Sequence, residues 1–268
     1  MPKKLTYCLA IGLALLLATA NAATGELLTL GLEKDLSQKT SNGQSLLEII
    51  EHLREKGKRP VVAFDMDGTL STLGPSEGYG QAKLRGGEAT RRVLEKIVSE
   101  GVPWFVTSAN QNKAAIGSKI NKLGLYDLIK EKFNDDCRGS SQGSSISDMH
   151  PRIINEHYII ENISYKIIQC HNAIAAVKEG DQNHSPDKQV AMEYILSHFF
   201  DEINEPNVII HIDDNAGNLE RVYKYYQRHA SKDIHYIGIL WEPHIPEPDH
   251  AAAMKWMNSE MRRSARPK

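Results

Sequence analysis

Pro60-Val61-Val62-Ala63-Phe64-Asp65-Met66-Asp67-Gly68-Thr69-Leu70 is the stretch on which the fold turns. Its first five residues are nearly all apolar, the pattern of a strand buried on both faces, as in parallel sheets covered by helices. The run stops in two aspartates one residue apart. Gly68 lets the backbone turn sharply there, so both carboxylates can face one cavity at the strand end.

The same arrangement recurs twice downstream. Val102-Pro103-Trp104-Phe105-Val106 runs into Thr107-Ser108, and Val208-Ile209-Ile210-His211-Ile212 runs into Asp213-Asp214. Helical periods fill the intervals. Leu46, Leu47, Ile49, Ile50 and Leu53, with Ser45 or Asn42 as cap, predict a helix over 44–56. Val93, Leu94 and Ile97 mark another over 88–100, and further helices are expected at 111–123, 125–132, 187–203 (opened by Pro186), 216–229 and 247–261, with a strand at 234–240.

Alternating strands and helices give an α/β class, a Rossmann-like three-layer parallel sheet with helices on both faces. Ligands in such sheets bind at the carboxyl ends of the strands. Asp65 and Asp67, Thr107 and Ser108, and Asp213 and Asp214 are therefore expected to converge. Between the second and third of these, Asn134 to Ser145 reads as an exposed Ser/Gly loop, and 157–160 with 163–168 as a hairpin. Residues 134–186 are thus expected to form a small β-rich insertion within one domain spanning 23–268.

Composition bounds the partners. The 268 residues are 41% hydrophobic and 25% charged, with a net charge of −2, enough for one medium domain and a modest insertion. The basic residues are scattered, which argues against nucleic acid as a partner. Lys3 and Lys4, the apolar run Cys8 to Leu17 and Ala20-Asn21-Ala22 read as a secretory leader cleaved after Ala22. The run is shorter than the roughly 20 residues that span a bilayer. The expectation is a periplasmic or secreted chain with no membrane segment after cleavage. Cys137 and Cys170 would then remain, as one bridge or as two free thiols.

Four carboxylates brought together at neighbouring strand ends repel one another unless a cation joins them. An all-oxygen set selects a hard ion, and Mg²⁺ is the expected cofactor. A calcium loop would need an acidic ligand near Thr69 and a Glu near Ser76, between helices rather than after a buried strand.

The motifs resemble those of the haloacid dehalogenase (HAD) superfamily phosphatases. Phe64 to Leu70 resembles the first motif, Val106-Thr107-Ser108 the second, Asp187-Lys188 the third and Ile212 to Asn218 the fourth, in the family's order over residues 60–220. The resemblance is strongest to exported bacterial HAD-like proteins. It implies that Asp65 is the nucleophile of a phosphomonoesterase, Asp67 the general acid and base, and Thr107, Ser108 and Lys188 the phosphoryl-binding groups. Asp65, Asp67, Asp213 and Asp214 would serve the metal, with Asp214 aligned to the ligand of the commoner Gly-Asp form. Lys166 and Lys178 compete with Lys188, but Lys166 falls in an expected strand. Asn218 stands where the family often has a second acidic residue.

The substrate implied is a small phosphorylated molecule. A phosphoprotein phosphatase, or a binding protein that engages a protein partner through 134–186, is the alternative. His211, Trp241, Trp256 and Tyr225-Tyr226 read as packing residues, and 242–250 as a rigid surface loop.

Overall fold

The computed structural model describes residues 25–72, 82–108, 113–129, 157–160, 162–170, 172–180, 187–200, 205–228, 234–243 and 250–264. The expected leader, the Ser/Gly loop and Cys137 lie outside the described residues, and with them the Cys137–Cys170 bridge.

The described strands are β1 (Glu26–Leu30), β2 (Pro60–Asp65), β3 (Trp104–Thr107), β4 (His157–Ile160), β5 (Ile163–Cys170), β6 (Ala173–Lys178), β7 (Val208–Asp213) and β8 (His235–Trp241). The described helices are α1 (Leu46–Glu55), α2 (Gly87–Ser99), α3 (Lys113–Lys122), α4 (Tyr126–Ile129), α5 (Lys188–Phe199), α6 (Ala216–Arg228) and α7 (His250–Ser264). All eight strands join one sheet in the order β1-β8-β7-β2-β3-β6-β5-β4. From β1 to β6 every neighbouring pair is parallel; β5 alone runs against the others, being antiparallel to both β6 and β4. No described helix is long and apolar enough to cross a membrane.

The wholly buried sequences of β2, β3 and β7 are explained by the two layers packed against them. Because successive strand residues point to opposite faces, one strand serves both layers. Val62 and Phe64 of β2 meet Ile49, Ile50, Leu94, Ile97, Ile116 and Ile120 from α1, α2 and α3. Val61 and Ala63 meet Val190, Ile195, Leu219, Val222 and Met257 from α5, α6 and α7. Local signals place the helix starts. Ser45 caps α1 in a reciprocal capping box with Glu48, and Asp187 accepts the Val190 N–H at the start of α5.

Two strands go beyond the sequence reading. β1 pairs with β8 at one edge, and β6 pairs with β3. Through β6 the expected hairpin, seen as β4 and β5, is laid onto the main sheet. The described strands of 134–186 thus widen the central sheet and do not form a separate β-rich body. Pairing the free edge of β3 satisfies backbone donors and acceptors that an isolated hairpin would leave to solvent.

Candidate active site

The parallel order puts the ends of β7, β2 and β3 side by side. Asp65 ends β2 opposite Thr107 of β3, and Asp213 ends β7. After Asp65 the chain folds back at once. Leu70 N–H donates to Asp65 O at 3.2 Å and Ser71 N–H to Met66 O at 2.8 Å, with Gly68 at φ 81°. This turn brings Thr69 between two carboxylates: its hydroxyl lies 3.3 Å from both Asp65 Oδ2 and Asp214 Oδ1, and it accepts the Asp214 N–H at 2.9 Å.

Asp65, Asp213 and Asp214 each offer an oxygen within 4.8 Å of the others. Lys188, the first residue of α5, places Nζ 2.6 Å from Asp65 Oδ1 and 2.6 Å from Asp213 Oδ2. Lys166 and Lys178 are exposed on β5 and β6, away from this group. Thr107 is fully buried and donates to Phe64 O at 3.3 Å, so in this arrangement its hydroxyl secures the β2–β3 junction. Ser108 is buried just beyond it.

Asp67 takes a separate direction. Its Oδ1 is paired with Lys119 from the middle of α3, both side chains being buried, while Oδ2 is enclosed with no hydrogen-bond partner. Sequence reasoning passed over Lys119. The available signal was its place between Ile116, Ile120 and Leu123, on the buried side of the helix. Arg85 was missed as well. Its guanidinium donates to Gly68 O at 3.0 Å, Leu32 O at 3.1 Å and Trp241 O at 3.3 Å, and stacks on the Trp241 ring at 4.3 Å. It ties the aspartate turn to the end of β8. Burial lowers it to about 10, with Asp214 acting against the shift.

The carboxylates divide by environment. Asp213 is buried completely, which alone would raise its pKa. Lys188 and His211 outweigh burial and hold it well below the carboxylate range. Its oxygens receive Asn215 N–H at 2.8 Å and the Asn218 amide at 3.1 and 3.2 Å. Asn218 is thus a donor to Asp213. Burial pushes Asp65 well above its ordinary value; Lys188 acts against this, and Asp213, Asp214 and Asp67 add to it. Burial and then Asp213 raise Asp214 to about 6. The Lys188 ammonium, which burial disfavours, is held charged by Asp213 and Asp65.

His211, on β7 two residues before Asp213, is fully buried. Its Nδ1 lies 2.8 Å from the Tyr236 hydroxyl and its Nε2 3.2 Å from Asp213 Oδ2. Burial keeps the ring below its ordinary pKa despite Asp213. Trp241, Tyr225 and Tyr226 are buried as expected.

A hard divalent cation suits this group. The donors are all oxygens, and among the described residues Lys188 pairs with two of the three carboxylates, Asp65 and Asp213, while Lys119 is paired with Asp67. Comparison with protein-family models, with curated proteins and with solved structures finds no match for the chain.

Proposed function

We propose that the chain is a HAD-type phosphomonoester hydrolase in which Asp65 is the nucleophile. The observation that carries this reading is the position of Lys188: one ammonium shared between Asp65 and Asp213 at the ends of adjacent parallel strands. A structural ion pair needs one carboxylate. An ammonium beside a strand-end aspartate, with two further carboxylates in reach, suits a site that receives a dianionic phosphoryl group. The four segments that resemble the family's motifs fall at the ends of β2, β3 and β7 and at the start of α5, around the carboxyl ends of neighbouring central strands, which supports the same reading.

In this reading Asp65 attacks phosphorus and the bond to the leaving oxygen breaks, giving an aspartyl-phosphate that water then hydrolyses. Asp67 Oδ2, the oxygen not engaged by Lys119, gives a proton to the leaving oxygen and later takes one from water. Lys188 and the Thr107–Ser108 segment face the equatorial oxygens, where charge develops. Asp65 and Asp214, with the Asp67 main-chain carbonyl, would hold Mg²⁺, while Asp213 is already supplied with donors from the chain and orients Lys188. When bound, the ion neutralises phosphoryl oxygens and lowers the repulsion between nucleophile and substrate. The substrate class is a phosphomonoester, and export through the N-terminal leader would place the reaction in the periplasm or outside the cell.

The test is hydrolysis of p-nitrophenyl phosphate by the chain from Ala23 with Mg²⁺ or EDTA, beside Asp65→Asn. Metal-dependent turnover lost at least a thousandfold in the variant is the expected result. Turnover surviving Asp65→Asn would rule out the nucleophile. No turnover with several divalent metals between pH 5 and 9 would rule out a general phosphatase.

A further inference from the structure

We propose that Tyr236 and His211 are positioning residues that fix, through Asp213, the place of the Lys188 ammonium beside Asp65; this rests on the phosphatase reading above. The four groups form a continuous line from the interior of the sheet to the nucleophile. The Tyr236 hydroxyl is 2.8 Å from His211 Nδ1, and His211 Nε2 is 3.2 Å from Asp213 Oδ2. Lys188 Nζ is 2.6 Å from that same oxygen and 2.6 Å from Asp65 Oδ1. His211 and Asp213 are wholly buried and Tyr236 nearly so.

Strand periodicity builds the line. Residues 209, 211 and 213 of β7 point to one face, which is also the face of Asp65 and α5. On β8, Ile209 is opposite Tyr236 and His211 is opposite Gly238, so Tyr236 is the diagonal neighbour of His211. Gly238 makes the reach feasible. A Cβ there would stand 3.3 Å from the Tyr236 hydroxyl, 3.1 Å from its ring and 2.9 Å from Leu27. A strand glycine commonly marks such a close approach.

The donors can be assigned from what each group can offer. The Asp213 carboxylate only accepts, so the ring proton belongs on Nε2. Nδ1 is then an acceptor, and the Tyr236 O–H donates to it. The Nε2 approach to Asp213 is angled away from the ideal hydrogen-bond direction, yet Asp213 is the group this nitrogen faces. Asp213 Oδ2 is thereby met by Lys188, by the Asn218 amide and, from the sheet interior, by the ring. If the ring contact is lost, Oδ1 is still anchored by Asn215 and Asn218, but Oδ2 loses its neighbour on the interior side, and a small turn about the anchored oxygen carries the ammonium away from Asp65. The sheet interior, usually a packing element, here sets the aim of a phosphoryl-binding lysine.

Glutamine and asparagine at 211 separate this role from packing. Glutamine carries its amide to about the place of Nε2, toward Asp213; asparagine reaches only the place of Nδ1, toward Tyr236. Both introduce one amide into the same core position. In the Ala23–Lys268 chain with Mg²⁺ and p-nitrophenyl phosphate, His211→Asn is expected to lower kcat about 10- to 100-fold, as loss of an orienting partner does. KM should stay within threefold. His211→Gln should recover at least tenfold of that loss, and Tyr236→Phe, which removes one oxygen and little volume, should fall with His211→Asn. Equal kcat for the Gln and Asn variants would overturn the proposal, as would a Tyr236→Phe enzyme with unchanged kcat. If the unaltered chain shows no turnover, the phosphatase reading fails and the proposal falls with it. Turnover by the unaltered chain with indistinguishable variants leaves the reading intact and overturns the relay alone.

Discussion

Lys119 and Asp67 are paired inside the protein, one from the middle of α3 and the other from the turn after β2, both side chains almost wholly screened from water. The pair leaves Asp67 Oδ2 as the oxygen with no partner of its own. Breaking a buried pair by removing one member costs about 3–5 kcal/mol, because the remaining charge is stranded. Lys119→Met should therefore lower the midpoint of urea unfolding and reduce kcat at least tenfold. Adding Asp67→Asn to Lys119→Met should restore part of the stability and none of the activity. Additive losses of stability in the double variant would show that the two side chains are energetically independent.

Gly68 is held at φ 81°, and a Cβ built on it would overlap the Asp214 carboxylate. Left-handed backbone costs a residue other than glycine about 1 kcal/mol, and here the overlap adds to it. Gly68→Ala should raise the Mg²⁺ concentration needed for half-maximal turnover about tenfold or more, by displacing Asp214. An unchanged Mg²⁺ requirement would place the ion elsewhere.

The raised pKa values of Asp65 and Asp214 have a definite sign in stability. A carboxyl group whose folded pKa lies above its unfolded value binds more protons when folded, so stability falls as pH rises through that interval. For Asp214 the window runs from about 4, the ordinary carboxylate value, to about 6. Without divalent ions, Tm should fall as pH rises from 4 to 6, and less so in Asp214→Asn. Mg²⁺ should raise Tm at pH 7 and have little effect at pH 4, where protons compete for the same oxygens. A Tm insensitive to Mg²⁺ at pH 7 would count against the metal assignment.

Arg85 joins three segments through carbonyl oxygens at residues 32, 68 and 241. Arg85→Met leaves buried acceptors without donors, at about 1–3 kcal/mol each, so the urea midpoint should drop clearly. Arg85→Lys should recover only part, because a single ammonium cannot fork between the segments. Equal stability of Lys and Arg at this position would show that charge alone suffices.

Much of the site was legible because its residues follow buried strands. Phe64-Asp65, Val106-Thr107 and Ile212-Asp213 each pass from apolar to oxygen-bearing side chains, and a parallel sheet brings such ends together. Lys188 was singled out because Asp187-Lys188, at a helix start, resembles the family's third motif. β6 was missed because Ala173-Ile174-Ala175-Ala176 lacks the density of branched residues that marks a strand. Its strand character comes from pairing with β3, a contact distant in sequence. β1 is similar, being five residues held by β8.

By itself, the sequence determined the α/β class, the order of the central strands and of the helices between them, and the set of strand ends at which oxygen side chains collect. These are written locally, in apolar runs, helical periods and caps. Only the tertiary structure decided which cation meets which carboxylate. Strand parity points Asp65, His211 and Asp213 toward the layer that carries Lys188, while the turn at Gly68 sends Asp67 to Lys119 in the opposite layer. Facing is a property of two elements together, so Lys119, His211 and Tyr236 acquire their partners only when the sheet and both helical layers are assembled.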